Sequence, residues 1–148
     1  MANILSLKEA QKTILLSQGI YHHNKVGKGK HASLKAINNI NYVQIDSISV
    51  IERAHHHIIW NRAENYSPEH INELLADKQI FEYWSHAAAY LPIADFRFSL
   101  PRKNAIAQGE QHWFKRDKKH MSHVLERIQA EGPLQAKDFK DTRTTKNG

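Results

Sequence analysis

Residues 80–92 read Ile80-Phe81-Glu82-Tyr83-Trp84-Ser85-His86-Ala87-Ala88-Ala89-Tyr90-Leu91-Pro92. Two short β-prone runs flank the polar pair Ser85-His86, which is the spacing of a tight hairpin. Everything upstream reads mainly as helix. Ser6-Leu7-Lys8-Glu9 has capping-box spacing, Leu7, Ala10, Ile14 and Leu15 recur on one helical face, and Gly19 supplies a stop. Ser33 is the expected cap of a second short helix through Leu34, Ile37 and Ile40. Tyr42 to Ile45 is a short β-prone segment, and a longer helix is expected from about Ile48 to Arg62. Ser67-Pro68-Glu69 opens another helix with Ile71, Leu74 and Leu75 on its apolar face. Helices followed by a hairpin is the order of a winged helix-turn-helix domain. The expected fold is therefore mainly α with a small β-hairpin wing at Ile80–Leu91. Its expected core gathers Trp84, Phe81, Leu74, Leu75, Ile71, Leu15 and Ile48.

Downstream of the hairpin, Ala94 to Phe98 reads as a helical turn that breaks at Pro101. A second long helix, from about Gln111 to Ala130, carries Phe114, Met121, Val124, Leu125 and Ile128, and Gly132-Pro133 ends it. Leu134 to Phe139 then resembles the opening of another helix-turn-helix element. The expected division is a first winged-helix domain over 1–105, then a linking helix and the incomplete start of a second winged-helix unit over 106–148.

The 148 residues suffice for one compact domain or two very small ones. With 41% apolar and 24% charged residues the chain can fill a modest core, which excludes a fully disordered protein. No stretch approaches the roughly 18 apolar residues that a membrane span needs. Met1-Ala2-Asn3-Ile4 lacks the start of a secretory signal. Cysteine is absent, so disulfides, thiolate zinc sites and cysteine nucleophiles are excluded. A cytoplasmic location is the default expectation.

Charge is unevenly spread. Residues 1–96 carry 9 Lys/Arg against 9 Asp/Glu, whereas 97–148 carry 12 against 6 and supply the whole net charge of +6. Within the neutral part, His22 to His31 holds Lys25, Lys28 and Lys30 and no acid. Such a flexible basic segment suits a polyanion, and a solvated loop kept soluble by lysine explains it equally well.

Most candidate chemistry fails on spacing. The consecutive His55, His56 and His57 point about 100° apart on a helix and cannot converge on one metal. His120 and His123 could share a face, but no metal-binding spacing accompanies them, so no metal site is expected. Gly27-Lys28-Gly29-Lys30 is not a nucleotide-binding P-loop, and there is no GxSxG elbow. The informative stretch is Tyr42-Val43-Gln44-Ile45-Asp46-Ser47-Ile48. If it is extended, Gln44 and Asp46 project to one side while Val43 and Ile45 project to the other. An amide and a carboxylate presented together can serve catalysis. Asp46 can equally be the cap of the following helix, and spacing alone leaves both readings open.

Taken with Phe81-Glu82-Tyr83-Trp84-Ser85-His86-Ala87-Ala88, Leu91-Pro92 and Asp95-Phe96-Arg97, that stretch resembles the YcaQ/AlkZ-type winged-helix DNA glycosylases. The resemblance runs from the first helix to about Phe139. It implies a DNA repair enzyme that excises N7-alkylated purines and unhooks interstrand crosslinks, with double-stranded DNA as partner and no cofactor. It assigns catalysis to Gln44 and Asp46, the Gln-apolar-Asp form of the family motif. DNA contacts are expected from Lys25, Lys28, Lys30, Lys35 and His86, and the cytoplasmic protein would associate with the nucleoid. Members of that family are much longer, so the chain is expected to be an N-terminal portion or a shortened product. Two other readings stand beside this one: a non-catalytic winged-helix DNA-binding protein, and an inactive truncated remnant.

Overall fold

A computed structural model describes residues 4–20, 26–110 and 117–139. Among them are six α-helices and a three-stranded antiparallel sheet. The chain parts into two compact units, Met1–Asn104 and Ala105–Gly148.

The first unit opens with α1 (Leu7–Ser17), whose capping box is complete: the Ser6 side chain accepts from Glu9 N–H, and the Glu9 carboxylate accepts from Ser6 N–H at 2.8 Å. Helix α2 (Gly29–Ile40) begins earlier than expected. Ser33 is therefore not its cap but a buried interior residue, with Oγ donating to the Gly29 carbonyl at 3.1 Å and lying 3.0 Å from His70 Nδ1. Strand β1 (Val43–Gln44) follows, then α3 (Ala54–Trp60) and α4 (Glu69–Ala76). The hairpin forms as expected from β2 (Ile80–Trp84) and β3 (Ala88–Pro92). The sheet order is β1-β3-β2, with Val43 opposite Tyr90 and Gln44 opposite Ala89. Helix, strand, two helices and a hairpin that takes the first strand onto its free edge is an arrangement compatible with a winged helix.

Three expectations about this unit are corrected. The helix expected from Ile48 begins only at Ala54. The intervening loop turns on itself, with Asp46 Oδ1 accepting from Ile48 N–H at 2.8 Å and a bridge between Ser49 and Arg53. β-Branched Ile48, Val50 and Ile51 offer little helix propensity to oppose that turn, and all three are exposed. Trp84, Phe81, Leu15 and Ile48 do not join the core, which closes around Ile37, Val43, Ile59, Ile71, Leu74 and Ile80; half-buried Phe81 stands edge-on to Phe96 instead. Trp84 is 61% exposed at the last position of β2, where it pairs with Ala88 beside the turn. Finally, Pro101 does not break the chain: α5 (Phe96–Ala107) runs through it from a 3-10 turn at Ile93–Asp95. Proline forfeits a bond to the Arg97 carbonyl, but both residues are exposed and water can take the donor's place.

In the second unit, α6 (Lys118–Glu131) is capped by Asp117, whose carboxylate accepts from His120 N–H, and it stops at Gly132, where φ is +86°. Arg127 holds Glu131 through two bonds of 2.6 and 2.7 Å and the Asp138 carbonyl at 2.9 Å, over a 3-10 turn at Ala136–Asp138. Phe114, expected on this helix, lies outside the described residues. Among the described residues no helix is long and apolar enough to cross a membrane.

Candidate functional site

Strand β1 is short, but its pairing fixes which way the motif faces. Val43 is fully buried opposite Tyr90, and half-buried Ile45 packs on the same core. Ile45 N–H donates to the Ala88 carbonyl at 2.8 Å, so the ladder continues one residue past the strand. Alternation then puts exposed Gln44 on the outward face with Ala89 and Tyr83, and half-buried Asp46 follows on the same side.

Asp46 caps no helix, because α3 starts eight residues later. Its carboxylate instead closes the turn onto Ile48 N–H. Its own backbone N–H donates to Nδ1 of His55 at 3.1 Å. His55 is 2% exposed and stands edge-on to Tyr90 with 5.7 Å between ring centroids. Burial, followed by the neighbouring His56, drives its pKa down from 6.5 to about 4. His55 is therefore neutral at pH 7, with Nδ1 as acceptor and the proton on Nε2. Helical spacing set the three histidines aside as a metal site but left this role of His55 unread. The signal was present in Ile59, four residues on, which makes His55 and Ile59 the inward stripe of α3.

The hairpin reaches back to the motif. Tyr42, two residues before Gln44, stacks on His86 with ring centroids 5.0 Å apart and planes at 17°. Tyr42 Oη and His86 Nε2 are 3.1 Å apart, and Ser85 Oγ lies 3.4 Å from His86 Nδ1. Of the residues expected at the site, Gln44, Asp46 and His86 thus gather along β1 and the hairpin. On the outward face of the hairpin, Lys103 Nζ sits over Phe96 at 4.1 Å, Tyr83 at 5.5 Å and Phe81 at 5.8 Å.

The lysines are placed differently. Lys25 lies outside the described residues. The segment around Lys28 is not a free loop: Val26, Gly29 and Glu64 N–H groups bond to the carbonyls of Arg62, Glu64 and Gly27. Lys28 Nζ reaches Glu64 at 3.2 Å, and Lys30 Nζ reaches Glu73 at 3.1 Å and Asp77 at 2.9 Å, which raises the Lys30 pKa, chiefly through Asp77. The acids absent from the local sequence come from α4 and from the residues just before and after it. Lys35, exposed on α2, has no ion pair among the described residues. No three His, Cys, Asp or Glu side chains gather as a metal site among the described residues.

Residues 37–147 match the AlkZ-like DNA glycosylase family, a span that takes in β1, both other strands and α6. No solved structure matches the chain.

Proposed function

Because the chain belongs to the AlkZ-like DNA glycosylase family, we propose that it excises purines alkylated at a ring nitrogen, crosslinked ones included, with Gln44 and Asp46 as catalytic residues. The observation that supports this most is the outward amide of β1 with the Asp46 carboxylate two residues on, its backbone anchored from behind by neutral His55.

Excision breaks the bond between the sugar carbon and the purine nitrogen, and the electron pair leaves with the base. The sugar carbon gains oxocarbenium character, which a facing carboxylate stabilises. Asp46 fills that role and takes a proton from the attacking water. Gln44, with both donors and an acceptor, orients the water as its oxygen closes on the sugar carbon. A ring-alkylated purine is already cationic and departs neutral, so no separate acid is required. An open, outward site also suits a crosslinked base, which cannot be flipped deep into a pocket.

DNA docks along β1 and the hairpin, with His86 at the tip and Lys25 and Lys35 as phosphate contacts, while Lys28 and Lys30, held by Glu64, Glu73 and Asp77, add little. In this reading residues 1–105 form a first winged helix and 106–148 lead into a second. Helix α4, the one a winged helix-turn-helix would lay in the groove, carries Glu69 and Glu73 and is followed by Asp77. Those acids repel phosphate and favour approach through β1 instead. A duplex with one N7-methylguanine, incubated with the chain and then cleaved with alkali at abasic sites, tests the reading. Strand scission is expected from the native chain and not from a Gln44→Ala/Asp46→Asn double variant. Salt-dependent duplex binding without base release would make the protein a non-catalytic DNA binder.

A further inference from the structure

Were α3 extended toward the N-terminus, Ile51 and Ile48 would fall four and seven residues before His55, on the stripe that His55 and Ile59 bury. The chain holds them out instead. Ile48 is 73%, Val50 92% and Ile51 90% exposed, three β-branched apolar side chains in the loop between Asp46 and Ala54. Single exposed hydrophobics are ordinary, but several on one short loop mark a surface that meets another apolar one.

The loop is tied at both ends. At its entry Asp46 Oδ1 accepts from Ile48 N–H at 2.8 Å, and Asp46 N–H is bonded to buried His55. Toward its exit Ser49 pairs with Arg53, which leaves Val50, Ile51 and Glu52 as the tip. The Glu52 carboxylate is drawn back onto the start of α3, where it accepts from Arg53 N–H at 2.9 Å and lies 3.9 Å from His56 Nε2. β-Branched side chains have few rotamers, so a tied tip of Val50 and Ile51 loses little freedom on entering a packed surface.

The root of the loop says which surface that is. The chain passes through Gln44 and Asp46 directly into it. Consecutive Cα atoms are about 3.8 Å apart, so Ile48 lies within about 7–8 Å of Asp46. That is roughly two base steps of about 3.4 Å. A nucleotide whose sugar faces Asp46 therefore has its neighbouring base steps within reach. We propose that Val50 and Ile51 form a wedge that enters the base stack beside that nucleotide and unstacks one step, exposing the sugar carbon to the carboxylate. Arg53, exposed at the exit with no ion pair among the described residues, supplies a cation for a flanking phosphate. This deepens the glycosylase reading and rests on it for the identity of the partner. The wedge acts by position and takes no part in the chemistry.

The test uses the 148-residue chain and a duplex carrying 2-aminopurine beside an N7-methylguanine on a 2′-fluorinated sugar. The fluorine withdraws electrons from the sugar carbon and blocks excision, so the readout is independent of catalysis. 2-Aminopurine brightens when its stack is broken. Saturating native chain should raise the fluorescence several-fold, and Asp46→Asn should do so equally. Val50→Ser/Ile51→Ser, also at saturation, should leave it near the level of the free duplex. The melting temperature should not change, because both side chains are already exposed. Val50→Leu/Ile51→Leu should keep the rise. Saturated binding by the native chain with no rise, or a rise that the serine variant retains, overturns the wedge and leaves excision by Gln44 and Asp46 standing. No duplex binding at all defeats the glycosylase reading and the wedge together. Retention on phosphatidylglycerol vesicles that the serine variant loses, with base stacking undisturbed, assigns the loop to a membrane and also overturns the wedge.

Discussion

The backbone N–H of Asp46 donates to Nδ1 of His55 at 3.1 Å, and this bond ties the turn that presents the carboxylate to the inward face of α3. A neutral imidazole is required, because a protonated ring has no acceptor at Nδ1. The structure thus makes the geometry of an outward acid depend on the protonation of a buried base.

Stability should follow that protonation. His55 has a folded pKa of about 4, below the ordinary value of 6.5, so the unfolded chain binds the extra proton first. Its contribution is full above pH 6.5 and is lost as the pH falls toward 4. Melting curves across that window should show a falling transition temperature, and His55→Gln should flatten the fall.

Substitution of His55 should separate positioning from packing. His55→Leu keeps bulk but leaves the Asp46 N–H without its partner, a loss of about 1–3 kcal/mol. His55→Gln offers an amide oxygen and should restore most of it. Single-turnover excision should drop with Leu and recover with Gln while DNA affinity stays level. A purely structural His55 would move the melting temperature alone.

Packing predictions reverse what the residue types suggest. Trp84→Ala should cost under about 1 kcal/mol, because the ring is already 61% exposed. Ile59→Ala, at a fully buried position, should cost about 2–5 kcal/mol. Urea denaturation of both variants checks the contrast.

Much of the fold was legible because its signals are local. The Ser6–Glu9 box, the Ser85-His86 turn and the Gly132 stop are each decided within four residues. Hydrophobicity misplaced Trp84 and Ile48 because burial depends on what packs opposite, and both stay largely exposed. At the site, the outward alternation of Gln44 and Asp46 was readable from Val43 and Ile45. The support from His55 was not, since it arrives nine residues later through a loop that turns back instead of extending α3. The acids beside Lys28 and Lys30 were equally invisible, being brought in from Glu64, Glu73 and Asp77 across the fold.

Those acids make a prediction about DNA binding. Lys30 is already satisfied by two carboxylates, so Lys30→Ala should barely change the salt dependence of duplex affinity. Lys35→Ala removes an exposed charge with no ion pair among the described residues and should lower the salt slope by about one unit. Filter binding over a series of salt concentrations measures both slopes.

The central claim rests on the charge of Asp46. Asp46→Asn retains an oxygen to accept from Ile48 N–H, and asparagine suits such a turn, so the fold should be kept. What disappears is the negative charge facing the sugar. Single-turnover release of N7-methylguanine from duplex DNA, measured beside affinity and melting temperature, is the most direct test. The account predicts that Asp46→Asn loses most of the excision rate, by about a hundredfold or more, with binding and melting unchanged. Gln44→Ala should be slower than the native chain and less impaired than Asp46→Asn. Native excision by Asp46→Asn would contradict the account and return Asp46 to the role of a turn residue.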